Sequence, residues 1–256
     1  MKTLAAFLAL AFATPAFAVI KTETVEYKDG DTTLEGLVAY DDAKQGVRPG
    51  VLVIHDWTGL QEYARRRAIM LAELGYVAFA ADIYGKGVRP TDPKDCAAEA
   101  GKYKGDLPLL RRRVSLGLDQ LKAQKLVDQK KLAAVGYCFG GTSVLELARS
   151  GADIKGVVSF HGGLKTTMPA PTGIPAKILV CHGADDPFVP AAEVEGFREE
   201  MNKAKTSMKF VAYPGAVHSF TKPEAGNDNS KGQAYNEKAD KESWAEMQKF
   251  FAEIFK

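Results

Sequence analysis

The sequence predicts an α/β fold in which a mostly parallel, twisted sheet is covered by helices on both faces and is preceded by an antiparallel hairpin. Short apolar runs of strand length alternate along the chain with longer stretches of helical periodicity, an order that is typical of parallel sheets. The apolar runs are too continuous for strands with one solvated face, which indicates burial on both faces. Histidine and acidic residues follow several of these runs, and sheets of this kind bind ligands beyond the carboxyl ends of their strands.

The first two elements are predicted to form a hairpin at the edge of the sheet. Residues 22–27 and residues 32–39 both have strand character, and the turn sequence Asp29-Gly30-Asp31 lies between them. An acidic residue followed by glycine is a strong hairpin signal when strand-like segments flank it.

The remaining predicted strands alternate along the chain with predicted helices. Further strands are predicted at residues 51–55, 77–81, 133–136, 156–160, 176–181 and 209–213. Helices are predicted at residues 62–74, 107–123, 142–150, 191–203 and 243–255, where the spacing of apolar residues is helical. The most polar segment, residues 222–241, is predicted to be a long loop near the active-site face.

Composition indicates one globular domain over residues 19–256. The 256 residues are 46% hydrophobic with a formal net charge of +2, which is enough for a full α/β core without a second domain. The basic triplets Arg65-Arg66-Arg67 and Arg111-Arg112-Arg113 fall in helical stretches, where solvated faces or ion pairs explain them better than nucleic-acid binding does. We therefore expect a monomer that binds a small molecule and no nucleic acid.

The N-terminus has the pattern of a cleavable signal peptide. A basic start, an apolar core over residues 4–12 and the small-residue signal Ala16-Phe17-Ala18 predict cleavage near Ala18 and a periplasmic or secreted protein. The apolar core is too short for a membrane span, so no stable membrane insertion is expected. No bridge is expected between Cys96 and Cys181, and no spacing of Cys or His indicates a metal site.

The pentapeptide Gly136-Tyr137-Cys138-Phe139-Gly140 stands between a predicted strand and a predicted helix. Gly-x-nucleophile-x-Gly forms a sharp turn that points the central side chain into a cleft at a helix N-terminus. The helix dipole there lowers a thiol pKa and favours an oxyanion. Taken alone, the pentapeptide is equally compatible with a glycine-rich turn around an ordinary buried cysteine.

An acid and a base follow in the order that the α/β-hydrolase fold uses. Asp186 lies after a strand in Gly183-Ala184-Asp185-Asp186, and His218 lies in a loop after the next strand. Cys138, Asp186 and His218 are therefore predicted to form a catalytic triad, with Asp185 as a turn or cap residue.

Three other histidines are weaker candidates for the base. His55 ends a strand and is expected at the strand tip or in the cleft, and His182 should point away from the acid because neighbouring strand residues face opposite sides. His161 in Ser159-Phe160-His161-Gly162-Gly163 either faces substrate or is a satisfied polar residue at a strand end.

Several motifs together resemble the dienelactone hydrolase family, and they extend over nearly the whole chain after residue 18. They are Ile54-His55-Asp56-Trp57-Thr58-Gly59-Leu60, Ala81-Asp82-Ile83-Tyr84-Gly85-Lys86-Gly87, the cysteine pentapeptide, Asp186-Pro187-Phe188-Val189-Pro190 and His218-Ser219-Phe220. The resemblance implies a Cys-His-Asp triad that cleaves an enol-lactone or activated ester through a thioester, without a cofactor. It also implies an oxyanion hole formed by the backbone N–H groups of Phe139 and Trp57.

The chain departs from this family pattern at three positions. Asp56 stands where the family has a glutamate that contacts the thiol, and Lys86 and Lys222 stand where it has two arginines that hold a substrate carboxylate. A lysine lacks the planar fork of arginine, so these lysines either bind a carboxylate as point charges or are solvated surface residues. The sequence therefore predicts a hydrolase of lactones or small esters. A broader carboxylesterase or thioesterase and a non-catalytic binding protein of the same fold stay open.

Overall fold

A computed structural model describes residues 19–170 and 173–256, so the predicted signal peptide lies outside the described residues. One sheet of eight strands has the order β1-β2-β4-β3-β5-β6-β7-β8. The strands are β1 (Ile20–Asp29), β2 (Thr32–Asp41), β3 (Arg48–Ile54), β4 (Val77–Ala81), β5 (Val127–Tyr137), β6 (Gly156–Phe160), β7 (Lys177–Gly183) and β8 (Met208–Tyr213). The predicted edge hairpin is present as the antiparallel pair β1–β2, β2 is antiparallel to β4, and the pairs from β4 to β8 are parallel.

Helices cover both faces of the sheet, as predicted. They are α1 (Glu62–Glu73), α2 (Pro93–Gly105), α3 (Leu107–Lys122), α4 (Phe139–Arg149), α5 (Ala191–Lys203) and α6 (Glu237–Ile254). Alternate residues of a strand face opposite sides: Leu52 and Ile54 of β3 pack with α3, α4 and α5, whereas Val51 and Val53 pack with α1 and α6. Among the described residues, no helix combines the length and apolarity needed to cross a bilayer.

Helix α2 was not predicted from the sequence, because few of its residues are apolar. Its buried residues are Cys96, Ala100 and Tyr103, a helical spacing that is too sparse to stand out. The sequence signal for this helix lies at its N-terminus. Asp92 accepts a hydrogen bond from the backbone N–H of Lys94, and Pro93 occupies the first helical position.

The loop predicted over residues 222–241 is shorter than expected, because α6 begins at Glu237. It contains two single 3₁₀ turns, Pro223–Ala225 and Asn229–Lys231, and it ends where α6 begins. The side chain of Asn236 accepts from the backbone N–H of Ala239 and caps α6. An N-terminal cap and charged first turn allow a helix to begin before its apolar stripe does.

Parallel strands bring the predicted site residues to one edge of the sheet. Asp56 follows β3, Cys138 follows β5, and His161 follows β6. Asp186 and His218 follow β7 and β8, the last two strands of the sheet. This edge is therefore where the chemistry of the chain is concentrated.

Candidate active site

Cys138 occupies a strained turn between β5 and α4. Its φ is 55°, in the left-handed region that residues with a side chain rarely adopt. A Cβ on Gly136 would lie 2.0 Å from the carbonyl oxygen of Gly140, and a Cβ on Gly140 would lie 2.2 Å from that of Ile54. Glycine is therefore required on both sides of the cysteine by close backbone contacts, and α4 begins directly at Phe139.

Cys138, His218 and Asp186 are joined by hydrogen bonds. The Nε2 atom of His218 lies 3.0 Å from Sγ of Cys138, and its Nδ1–H donates to Oδ2 of Asp186 at 2.8 Å. The other carboxylate oxygen of Asp186 accepts from the backbone N–H of Phe188 at 2.9 Å. The backbone of His218 is itself held by hydrogen bonds to Gly232 and Ala234. The three side chains can move a proton between sulfur and imidazole without rearrangement.

The electrostatics favour a thiolate and an imidazolium. Burial raises the pKa of the Cys138 thiol, but the charge and hydrogen bond of His218 outweigh that effect and lower the pKa overall. Burial lowers the pKa of His218, but Cys138 and Asp186 outweigh it and raise the pKa to about 10. Burial raises the pKa of Cys96, and it raises the pKa of Cys181 to about 12. All three cysteines are free thiols, but Cys138 alone is half-buried while the others are buried.

Alkylation should therefore select Cys138 and extend to low pH. Because the thiolate forms above the lowered pKa, the iodoacetamide rate in the native protein should reach half its maximum below about 8.5, the ordinary thiol value. The rate should fall only as acid protonates the thiolate. Peptide mapping by mass spectrometry over a pH series measures this. Half-maximal labelling at or above the ordinary value would contradict the ion pair.

A cavity of about 370 Å³ opens beside the Cys138 sulfur. It is lined by Trp57, Lys104, Cys138, Phe139, Thr142, Gly163, Phe188, Val189, His218, Lys231 and Gln233. Both residues of the predicted oxyanion hole, Trp57 and Phe139, are among them. No described residue accepts a hydrogen bond from the backbone N–H of either one, so both donors can serve an oxyanion.

Asp56 and Lys222 are paired with each other beside this cavity and do not line it. The Nζ atom of Lys222 donates to Oδ2 of Asp56 at 2.6 Å. The other oxygen of Asp56 accepts from the backbone N–H of Thr58 at 2.8 Å. The Asp56 carboxylate is thus held by Lys222 and Thr58, and it acts on Cys138 only through its charge, which raises the pKa of that thiol.

Lys86 lies outside the cavity. Its ammonium forms an ion pair with Glu26 of β1, and 48% of its side chain is exposed. The lysines that do line the cavity are Lys104 and Lys231. Neither lysine was predicted from the sequence. Lys104 lies on the unpredicted helix α2, and Lys231 lies in the segment predicted to be a loop.

His161 is buried and contacts the backbone at the nucleophile position. Its Nδ1 accepts from the backbone N–H of Cys138 at 3.1 Å, and its Nε2 lies 2.7 Å from the hydroxyl oxygen of Thr221. The first bond requires the proton on Nε2, which then donates to Thr221. Burial lowers the pKa of His161 well below its usual value, so the ring is neutral. Tyr63 continues the network, with its hydroxyl 2.6 Å from that of Thr221.

Replacement of His161 should displace the Cys138 sulfur from its position in the site. His161→Ala removes one of the two acceptors of the Cys138 N–H, which also donates to the carbonyl of Phe160 at 3.0 Å, and it removes the hydrogen bond from His161 to the Thr221 hydroxyl. We expect kcat to fall about 10²-fold with a smaller change in KM, since small misplacements of a nucleophile have effects of that size. His161→Asn should recover part of kcat, because asparagine supplies an oxygen near the Nδ1 position and tolerates the φ of 40°. Equal kcat for the two variants would contradict this role.

The remaining histidines are held elsewhere. His55 is fully buried, and its Nε2 accepts from the backbone N–H of Ile83 at 3.2 Å. His182 is buried against Phe210, with no described hydrogen-bond partner for its Nδ1. Among the described residues, neither ring forms a hydrogen bond with Cys138. Within the described ranges, no cluster of three or more His, Cys, Asp or Glu side chains has the geometry of a metal site.

Comparison with known proteins identifies the family. The model of the dienelactone hydrolase family matches residues 34–255. The solved structure of m3DLH is 39% identical, with a TM-score of 0.89 over 93% of this chain and 99% of its own. A dienelactone hydrolase-like promiscuous phosphotriesterase from metagenomic libraries is 41% identical, with a TM-score of 0.89 over 94% of this chain and 100% of its own.

A curated relative from Salmonella typhimurium carries the name of a candidate carboxymethylenebutenolidase. It is 27% identical over 223 residues, which cover 82% of this chain and 79% of the relative. Family, fold and the names of the relatives agree with the residues assembled at the sheet edge. The chain belongs to the dienelactone hydrolase family and is a carboxylic ester hydrolase.

Proposed function

We propose that the protein hydrolyses lactones or small carboxylic esters through a thioester on Cys138. The observation that carries the proposal is the hydrogen-bonded series Cys138–His218–Asp186 at 3.0 and 2.8 Å. A thiolate beside an imidazolium is a ready nucleophile with its proton donor already in place. No cofactor is needed for this chemistry.

Acylation uses the ion pair directly. The Cys138 thiolate attacks the carbonyl carbon, and the negative charge that develops on the carbonyl oxygen is stabilised by the N–H groups of Phe139 and Trp57. The tetrahedral intermediate collapses as His218 gives its Nε2 proton to the leaving oxygen. The products of this half-reaction are an alcohol, or the ring-opened enol of a lactone, and the Cys138 thioester.

Deacylation returns the proton. Neutral His218 removes a proton from a water molecule, which attacks the thioester carbonyl and releases the carboxylic acid and the Cys138 thiolate. Asp186 accepts the Nδ1–H bond throughout, so it fixes the tautomer and stabilises the imidazolium that forms again. His218 is thus the acid in the first half and the base in the second.

Intact-mass spectrometry tests the thioester. Wild-type protein mixed with an aryl acetate and quenched in acid should gain one acetyl group, and peptide mapping should locate it at Cys138. A panel of lactones and aryl esters then separates a lactonase from a broader carboxylesterase or thioesterase. A protein whose Cys138 neither acylates nor reacts with electrophilic probes would instead be a binding protein on this fold.

A second candidate activity is the cleavage of phosphotriesters. It is favoured by the relative with 41% identity that is named a promiscuous phosphotriesterase. Thiolate attack on phosphorus would displace an aryl oxide, which His218 protonates, and water would then release the phosphoryl group from sulfur. Turnover of a diethyl aryl phosphate, lost in Cys138→Ala, is the test.

We also propose that positive charge in the cavity influences which substrates bind. Lys104 gives the cavity positive charge, and Lys231, which also lines it, is paired with the exposed Asp228 at 3.8 Å. Lys86 and Lys222 can bind a carboxylate only if their pairs with Glu26 and Asp56 open. We also propose periplasmic or secreted location after cleavage near Ala18, which N-terminal sequencing of the mature protein tests.

A further inference from the structure

The cavity at Cys138 is the first of three adjoining cavities that share lining residues. A second cavity of about 290 Å³ shares Lys104, Thr142, Gly163 and Phe188 with it. A third cavity of about 520 Å³ shares Lys165, Thr166 and Glu193 with the second. The three adjoining cavities extend from the nucleophile to the start of α5, and we call them together the α5 groove. Its size exceeds what a small lactone ring fills.

The groove leaves Cys138 on the side away from the proton donor. The second cavity shares none of His218, Lys231 and Gln233 with the first. A leaving group must lie beside His218 to receive its proton. The α5 groove therefore suits the acyl part of an ester, and the alcohol part belongs beside Lys231 and Gln233.

The wall of the groove, formed by the loop between β6 and β7, is held open by buried side chains. The Thr142 hydroxyl donates to the carbonyl of Gly163 at 3.0 Å, and Arg149 donates to that of Leu164 at 2.7 Å. Arg149 is buried against Glu146, which also pairs with Arg111. These two hydrogen bonds, one of them from the charged guanidinium of Arg149, fix the backbone of the wall at Gly163 and Leu164.

The lining combines apolar surface with unpaired positive charge. Phe188, with 58% of its surface exposed, stands at the lip, and Leu107 and Phe197 line the second and third cavities. Apolar side chains such as these can pack against the methylene groups of an acyl chain.

The acidic side chains of the groove are already engaged, but two of its lysines are not. Glu193 accepts from the backbone N–H of Leu164 at 2.6 Å, and Glu200 pairs with Arg149 at 2.7 Å. Neither Lys104 nor Lys165 forms an ion pair with any residue in the described ranges. The groove therefore attracts a negative group part of the way along its length.

We propose that the α5 groove binds the acyl chain of an extended ester that carries a carboxylate, with the carbonyl at Cys138 and the carboxylate beside Lys104 and Lys165. This inference rests on the proposed esterase function and specifies its substrate class as half-esters of dicarboxylic acids. Contacts remote from the reacting carbonyl would raise kcat/KM for such substrates over short neutral esters.

The probes are p-nitrophenyl half-esters of dicarboxylic acids of increasing length, their methyl-capped neutral counterparts and p-nitrophenyl acetate. We expect wild-type kcat/KM to rise with chain length. It should favour the free carboxylate over its capped counterpart by about threefold, since Lys104 and Lys165 are exposed and solvent screens a charge contact there. Lys165→Gln should remove most of that preference. Lys203→Gln, at the exposed end of α5, should leave it unchanged.

Gly196 allows the groove to be filled without disturbing the fold. It lines the third cavity, and a Cβ built on it meets no atom within 4 Å. Gly196→Trp should lower kcat/KM about tenfold for the longest half-esters and leave p-nitrophenyl acetate unaffected. Asn202→Trp, an exposed change on the same helix, is the matched control and should affect neither.

The outcomes separate the groove from the esterase function. Equal kcat/KM for short, long, charged and capped esters, or equal losses for all of them in Gly196→Trp, would overturn the groove while leaving the hydrolase intact. Failure of the wild-type protein to hydrolyse p-nitrophenyl acetate through Cys138 would instead overturn the proposed function.

Discussion

Cys138→Ala is expected to abolish ester hydrolysis while the protein keeps its fold. Removal of a triad nucleophile typically lowers kcat by about a thousandfold or more. Alanine fits the turn because it removes only the sulfur and keeps the Cβ that the backbone at φ 55° already accommodates. Steady-state kinetics on an aryl acetate measure the loss, and circular dichroism with thermal unfolding verifies the fold.

Cys181→Ala is the matched control. Cys181 is fully buried, and burial raises its pKa to about 12, so it is not a nucleophile at neutral pH. Its replacement should leave kcat within a few-fold of the wild-type value at a modest cost in stability. A folded Cys138→Ala protein with near-native turnover would end the thioester mechanism.

His218→Ala should have an effect of similar size and a second, independent signature. The variant loses the proton donor for the leaving group and the base for water, so kcat should fall about a thousandfold. It also loses the positive charge that lowers the Cys138 pKa. The pH profile of Cys138 alkylation should therefore move to higher pH, because the thiolate then forms only above a pKa that burial raises.

His182→Ala separates the roles of the two histidines. Both rings lie near Asp186, but His182 is buried against Phe210 and makes no hydrogen bond to the carboxylate. We expect its kcat and its alkylation profile to match those of the wild-type protein. An unshifted alkylation profile in His218→Ala would show that the thiolate is stabilised by some other group.

Most strand positions along the chain, and the positions of Cys138, Asp186 and His218 after them, could be predicted because their signals are local. Apolar runs mark buried strands, and glycines mark the turn at Cys138 wherever the rest of the chain lies. The end of each strand then fixes which residues reach the same edge of the sheet. The strand positions and a mostly parallel sheet were therefore sufficient to expect these three residues at the same edge.

The surroundings of the site could not be predicted, because they depend on contacts between distant segments. Lys86 pairs with Glu26, and Lys222 pairs with Asp56 far along the chain. Neither partner is marked by a spacing in the sequence. Lys104 enters the cavity from α2, a helix whose three buried residues give little periodic signal. Side-chain pairing follows from tertiary packing, which a single sequence does not encode in any local pattern.

The left-handed backbone at Cys138 lowers the stability of the fold while it places the nucleophile for reaction. Cys138 and His161 both have positive φ, at 55° and 40°, and are joined by one hydrogen bond. Each such residue costs on the order of 1–3 kcal/mol, which the packed layers on both sides of the sheet must offset. Directed evolution for heat resistance alone would therefore favour glycine at position 138, where it relieves the backbone strain, and this change would remove the nucleophile while it stabilises the fold.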